Sequence, residues 1–465
     1  MKIKFIGAAQ TVTGSMHYIE AAGKKFILDC GLVQGKRKES FEINRTFEFF
    51  NPVDLDFVIL SHAHIDHAGN LPNLVKNGFK GNIYCTFATR DLSSLMLTDS
   101  AHIQEKDVEF VNKRRKKQGK NPFEPLYTQQ DVNNTIPLFV GLNYHREFEI
   151  TPGISLTFYD AGHILGSALT YLIIKEEGRI IDFAFSGDIG RPNLPILRDP
   201  EKIPNVDFFI CESTYGGRFH DSATLTEQKM TDVLLKAVAR KAKIIVPSFS
   251  VGRTQELVMV LNKIFEKKAV PKFPIFVDSP LSVNATAIFR LHPECFDFET
   301  SQFLLNNHDP FGFDNLTYIT DVEESKRLND LDGPCMIISS SGMAEAGRIL
   351  HHLANNIQNP NNIVLIVGYS AEHTLGRRIV EREPDVKIFG EEYKLNAEVI
   401  VLNSLSAHAD SNELTDYCSN FDRSKMQNIF LVHGDFDQQE KFKKRLQEID
   451  FKNVIIPSRT EEFIL

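Results

Sequence analysis

Three histidines and an aspartate fall within six residues in Ser61-His62-Ala63-His64-Ile65-Asp66-His67-Ala68-Gly69. A lone histidine is usually structural, but this density points to ligation. Neutral imidazole and carboxylate suit zinc and its first-row neighbours, and a mixed N/O set with an open position is the catalytic kind of site. Residues two apart can point the same way, so His62 and His64 can hold one ion while Asp66 and His67 turn toward a second. The apolar run Phe57-Val58-Ile59-Leu60 reads as a buried strand, which puts the cluster in the tight loop at its end.

Two ions need more ligands than one loop supplies. Asp160-Ala161-Gly162-His163, Phe185-Ser186-Gly187-Asp188 and Leu431-Val432-His433-Gly434 each offer one candidate at the end of a strand-like run. His163, Asp188 and His433 bring the set to seven, enough for mixed coordination of two ions with Asp188 between them. A pair of ions about 3.5–4 Å apart can hold a hydroxide and clamp an in-line displacement at phosphorus. Such a displacement expels an alkoxide, and a histidine poised near neutral pH can protonate it, worth about 10²–10⁴-fold in rate. His408 in Ser406-Ala407-His408-Ala409-Asp410 is the candidate; its other reading is a surface histidine at a helix start, since Asp410 and Ser411 resemble cap residues.

The elements that must position these groups fall into two styles. Strand-like runs dominate the first two hundred residues, among them 2–6, 25–30, 57–60, 81–85, 154–159, 168–174, 180–185 and 206–211. From about residue 224, helices alternate with short apolar strands, as in helix 225–241, strand 244–247, helix 254–267 and strand 275–278, the rhythm of a doubly wound α/β domain. Strand 335–339, helix 346–355 and strand 363–368 continue it, and after about 397 come strand 399–402, a helix, strand 429–432 and a closing helix. A separate helical stretch near 100–131 carries Lys113-Arg114-Arg115-Lys116-Lys117-Gln118-Gly119-Lys120, a solvated face or a phosphate-contacting arm.

At 465 residues the chain exceeds one comfortable core, and 42% hydrophobic with 24% charged residues is an ordinary soluble globular composition. No apolar run approaches the roughly 18 residues of a membrane span. Met1-Lys2-Ile3-Lys4-Phe5 enters a strand pattern with no signal-peptide core, and the six scattered cysteines form no C-x-x-C pair, so a reduced cytoplasmic protein is expected. A net charge of −9 does not suggest a general polyanion binder; a nucleic-acid substrate would require local positive patches.

His62-Ala63-His64-Ile65-Asp66-His67 with His163, Asp188 and His433 resembles the metallo-β-lactamase superfamily. Glu212-Ser213-Thr214-Tyr215-Gly216, Ser406-Ala407-His408-Ala409-Asp410 and Leu431-Val432-His433-Gly434 extend the resemblance to its β-CASP nucleases, over essentially the whole chain apart from the basic stretch. Pro247-Ser248-Phe249-Ser250-Val251-Gly252-Arg253, Ser339-Ser340-Ser341-Gly342-Met343 and Gly368-Tyr369 look like further landmarks of that family. The resemblance implies an αββα metallo-β-lactamase domain from residues 1–212 and 398–465, with an inserted doubly wound α/β β-CASP domain at 213–397. It implies two zinc ions, one on His62, His64 and His163, the other on Asp66, His67 and His433, with Asp188 bridging. Asp29 matches the acidic residue that steadies the metal loop, His408 the proposed general acid and Glu212 the group that orients it.

Small glycine-containing loops at helix starts favour anions, so Ser248, Ser250, Arg253, Ser341, Gly342 and the Arg348 helix are candidates for substrate phosphate, with a structural turn the other reading of 339–342, while His351 and His352 read as structural or substrate-adjacent. The expected activity is hydrolysis of single-stranded RNA by hydroxide on two metals, with endo- and 5′-exonuclease action both open. His433 at the third motif goes with the RNA-processing members, and a threaded unpaired strand suits a narrow cleft between domains. A DNA nuclease, a small-molecule hydrolase and a non-catalytic RNA-binding subunit are the alternatives. No membrane partner is expected, and the resemblance leaves room for a homodimer.

Overall fold

The computed structural model describes residues 1–35, 37–220, 225–306, 308–368, 370–371, 373–402, 404 and 406–465; Tyr369 of the landmark Gly368-Tyr369 lies outside them. The chain divides into two compact units, one of Met1–Pro192, Asp199–Phe219 and His408–Leu465, the other of Asn193–Arg198 and His220–Ala407.

Two seven-stranded sheets build the first unit. In one, strands Lys24–Leu28, Phe57–Ile59, Asn82–Thr86 and Phe139–Leu142 run parallel, with Met16–Ala21, Lys2–Gly7 and Glu462–Ile464 added antiparallel. In the other, Arg179–Phe185, Phe208–Glu212, Asn428–Val432 and Val454–Ile455 are parallel, and Ala168–Glu176, Ile154–Asp160 and Phe148–Thr151 form a meander. Side-chain alternation sorts each strand between layers. Phe57 and Ile59 join Phe158, Phe183, Ile210 and Phe430 in a shared core, while Val58 packs outward with Leu74, Leu97 and Val132. Phe209 and Leu431 pack on the opposite outer face with Leu414 and Phe442 from helices Ser411–Ser419 and Phe436–Glu448. Helix, sheet, sheet and helix layers follow, as the family resemblance leads one to expect.

A six-stranded, all-parallel sheet in the order Leu316–Ile319, Ile275–Asp278, Cys335–Ser339, Lys243–Pro247, Ile363–Ile366, Glu398–Val401 forms the second unit. Its four inner strands are near-continuous apolar runs, the pattern of a sheet covered on both faces. Glu398–Val401 pairs with Ile363–Ile366, so the chain leaves this unit near residue 407 and not at 397, and it enters near 220 and not at 213. A four-residue apolar strand carries no mark of the sheet it will join, which is why the boundaries move.

Candidate metal centre

The first unit gathers its polar groups at the carboxyl ends of strands. His62, His64 and His67 follow Phe57–Ile59, Asp29 follows Lys24–Leu28, and His163 follows Ile154–Asp160. Asp188 follows Arg179–Phe185, Glu212 closes Phe208–Glu212, and His433 follows Asn428–Val432. Asp29 and His433 adopt left-handed backbone, φ 58° and 50°, unusual for non-glycine residues and typical of functional loops. Gly31 allows the metal-loop backbone to close: a Cβ there would lie 1.7 Å from the Asp66 carbonyl oxygen.

Three groups of potential ligands result: His62, His64, His163 and Asp188; Asp66, His67 and His433; and Asp188, Glu212 and His408. His64 Nδ1 lies 3.1 Å from His62 Nε2 and 3.2 Å from His163 Nε2. His67 Nε2 lies 3.1 Å from His433 Nε2, and Asp66 Oδ2 is 3.5 Å from the latter. Asp188 faces both groups, with Oδ2 3.4 Å from His62 and His163 Nε2 and Oδ1 3.3 Å from the His67 and His433 rings.

This donor set fits divalent ions. Asp29, fully buried, accepts from the Ser61 amide (2.8 Å), the Ser61 and Ser15 hydroxyls (3.0 and 3.1 Å) and His67 Nδ1 (2.7 Å). The Ser61 hydroxyl, donating to Asp29, must accept from His62 Nδ1 at 3.0 Å. Thr214 Oγ1 donates to the His433 carbonyl at 2.9 Å and accepts from His433 Nδ1 at 3.0 Å. The protons of His62, His67 and His433 are thus placed on Nδ1, and the Nε2 lone pairs converge. Ring nitrogens facing one another at 3.1–3.2 Å fit a shared cation, for tetrahedral zinc with Zn–N near 2.0–2.1 Å sets nitrogens about 3.3 Å apart. Buried Asp188 Oδ1 has no hydrogen-bond donor, as expected of an oxygen meant for a metal.

Electrostatics agree. Burial holds His62, His64 and His163 in the neutral ligand form, His64 down to about 3. At His67 burial is outweighed by Asp188 and Asp29, which push its pKa well up; a proton there balances the carboxylates as a bound cation would. Beside these groups stands His408, with Nδ1 3.1 Å from Glu212 Oε1 and 3.9 Å from Asp188 Oδ2. Burial opposes its charging, but Glu212 and Asp188 outweigh burial and set His408 at about 9. Glu212 is itself buried and also accepts from the Ile189 and Thr214 amides. Asp410 caps helix Ser411–Ser419 in a capping box with Glu413, so His408 sits at a helix start and also against Glu212.

Sequence models match three stretches: "Metallo-beta-lactamase superfamily" over residues 10–248, "Beta-Casp domain" over 254–379, and "Zn-dependent metallo-hydrolase RNA specificity domain" over 392–457. A protein of Thermus thermophilus named Ribonuclease TTHA0252 is 34% identical over 435 residues, covering 94% of this chain and 93% of the relative. The chain belongs to the β-CASP family of the metallo-β-lactamase superfamily. A Methanocaldococcus jannaschii protein named Transcription termination factor FttA is 30% identical across 98% of this chain and 70% of its own length. A crystal structure of a protein of unknown function from Enterococcus faecalis shares the fold, with TM-score 0.55 at 13% identity, covering 100% of this chain and 99% of that one.

Within this β-CASP chain, Ser61 and Thr214 are the positioning residues that motif reading passes over. Both sit inside the motif strings, next to a candidate ligand or close to Glu212, and only their hydrogen bonds reveal the role. The residues considered for substrate phosphate lie in the second unit, and Ser248 and Arg253 prove to be interior. Arg253 pairs with Glu256, and Ser248 Oγ accepts from Thr254. Ser341 Oγ accepts from the Glu345 and Ala346 amides, and Gly342 lies where a Cβ would strike the Phe249 ring. Arg348 and His352 are both bound to buried Asp278, while the His351 ring lies 4.6 Å from that of Phe389 at a tilt of 41°. These contacts hold the second unit's own loops together. All six cysteines are free and buried, and no described helix is long and apolar enough to cross a membrane.

Proposed function

We propose that this β-CASP protein is a zinc-dependent ribonuclease that hydrolyses phosphodiester bonds of single-stranded RNA. The observation that carries the reading is Asp188, whose two oxygens face two histidine groups while His408 and Glu212 stand beside it. The named ribonuclease relative and the match to an RNA specificity domain favour RNA over DNA or a small molecule. His62, His64 and His163 would hold one ion and Asp66, His67 and His433 the other, with Asp188, which faces both groups, shared between them. Bound there, two ions supply a water-derived nucleophile at neutral pH and screen the charge gathering on the phosphate.

The chain's own residues do the rest. Asp29, Ser61 and Thr214 keep protons on the far ring nitrogens of His67, His62 and His433. Glu212 fixes the His408 ring through Nδ1, which leaves Nε2 to give a proton to the departing 3′ oxygen. Six buried thiols suit a reducing compartment, here the cytoplasm.

End-labelled single-stranded RNA and the same sequence as DNA, incubated with zinc-loaded wild type, Asp188→Asn and His408→Ala, test this. We expect RNA-selective cutting that is lost in Asp188→Asn and reduced about 10²–10⁴-fold in His408→Ala with zinc content unchanged. Absence of cutting of either polymer by the zinc-loaded wild type overturns the reading.

A further inference from the structure

Helix Phe87–Lys117 is 31 residues long, yet its buried residues end at Ala101. Thr86 caps its start, and Thr86 and Thr89 both donate to the Gly166 carbonyl, in the loop that carries His163. At about 1.5 Å per residue, residue 113 lies roughly 36 Å further along the axis from residue 89. The helix therefore starts at the candidate centre and projects far from it.

Its distal half is two-sided. Asn112 exchanges hydrogen bonds with the Phe123 backbone (2.7 and 2.9 Å) and Arg115 Nε donates to the Asn121 carbonyl (2.7 Å), so the returning loop covers that side. On the other side Ile103, Lys106, Phe110, Lys113, Arg114 and Lys117 fall within an arc of about 100° at 3.6 residues per turn. Phe110 is 77% exposed and Ile103 53%. Residues 106–120 hold seven lysines and arginines against two acidic residues, in a chain of net charge −9. Glu109 is already shared between Lys106 and Lys113. Cations tracking a backbone, with an unsupported aromatic ring among them, are what a single-stranded nucleic acid recognises.

We propose that this face is a second, distal RNA-binding surface: its cations contact phosphates of the strand whose scissile bond lies at the metal centre, and Phe110 stacks on a base. The inference rests on the ribonuclease reading, and it predicts a dependence on substrate length. At about 3.4 Å per stacked nucleotide, a strand must run some ten nucleotides from the centre to reach Lys113. A 6-mer cannot engage the arm, and a 30-mer can.

The test compares wild type with the triple variant Lys113→Gln/Arg114→Gln/Lys117→Gln and with Phe110→Ala. Each is zinc-loaded and checked for a wild-type circular-dichroism spectrum. Cleavage of a 6-mer and a 30-mer RNA is followed, together with binding of the 30-mer in an Asp188→Asn background. We expect both variants to cut the 6-mer like wild type and to show a raised KM on the 30-mer, about tenfold for Phe110→Ala. With about 0.7 in salt slope lost per phosphate contact, the affinity fall between 50 and 200 mM salt should be about 20-fold smaller for the triple variant. Unchanged 30-mer KM and salt slope, or equal losses on both lengths, overturn the proposal. So does a wild-type dimer that the triple variant dissociates without any change in RNA binding. Failure of wild type to cut either RNA instead overturns the ribonuclease reading.

Discussion

Asp29→Asn separates a proton-placing role for Asp29 from simple packing, because it changes one oxygen to nitrogen at nearly constant volume. The remaining oxygen can still accept from the Ser61 amide at 2.8 Å. The new amide group then faces Ser15 Oγ (3.1 Å), Ser61 Oγ (3.0 Å) and His67 Nδ1 (2.7 Å). Hydroxyls can rotate to accept. His67 can comply only by moving its proton to Nε2, the atom 3.1 Å from His433 Nε2. Ser61, once accepting from the amide, donates to His62 Nδ1 and drives that ring to the same wrong tautomer. Flipping the amide returns an oxygen to His67 but sets its N–H groups against the Ser61 N–H. Each ligand group therefore loses a free lone pair. Loss of such a supporting partner weakens metal affinity about 10–100-fold, or about 1.4–2.7 kcal/mol. Loss of the charge-assisted bonds costs the metal-free protein a further ~1.5–3 kcal/mol. Competition against a chromophoric chelator gives the first quantity, and thermal melts of the stripped and zinc-loaded protein give the second. An Asp29→Asn protein that is less stable when stripped but binds zinc as tightly as wild type refutes the tautomer argument.

Three other substitutions probe backbone packing and charge. Gly31→Ala puts a methyl against backbone at the Asp66 carbonyl, and should cost about 1–3 kcal/mol and lower zinc content. Gly23→Ala, at φ 71° with open space around it, should lose a little stability and no zinc, as denaturant melts and metal analysis will show. Burial pushes the Asp278 carboxyl up, but His352, Ser325 and Arg348 outweigh it and hold its pKa below the ordinary value. A folded pKa below the unfolded one contributes stability that is full above about pH 4 and is lost as pH falls toward the folded value. Asp278→Asn should therefore cost about 3–5 kcal/mol at pH 7, with the gap to wild type closing in acid; a pH-independent gap in urea melts counts against it.

Much of the candidate site is legible in the sequence alone. The H-x-H-x-D-H spacing is local, and each remaining candidate ligand sits at a strand end that its own apolar run announces. The capping pattern Asp410-Ser411-Asn412-Glu413 likewise marked a helix start, correctly, without revealing that His408 just ahead of it meets Glu212. Arg253 shows the opposite case, for a basic residue at a helix start looks like a phosphate contact until its pairing with Glu256 is seen. Strand Glu398–Val401 belongs to the other sheet for a related reason: short parallel strands of similar composition are interchangeable until their partners are known.

The sequence by itself determined the kinds of group and the order in which strands deliver them, because ligand chemistry, strand periodicity and helix capping all act over a few residues. Only the tertiary structure decided which nitrogens of His62, His67 and His433 face inward, which carboxylate faces both histidine groups, and which arginines are already paired. Those outcomes depend on hydrogen bonds and burial between residues as much as 366 positions apart, as with His67 and His433, and no local pattern encodes a distance of that kind.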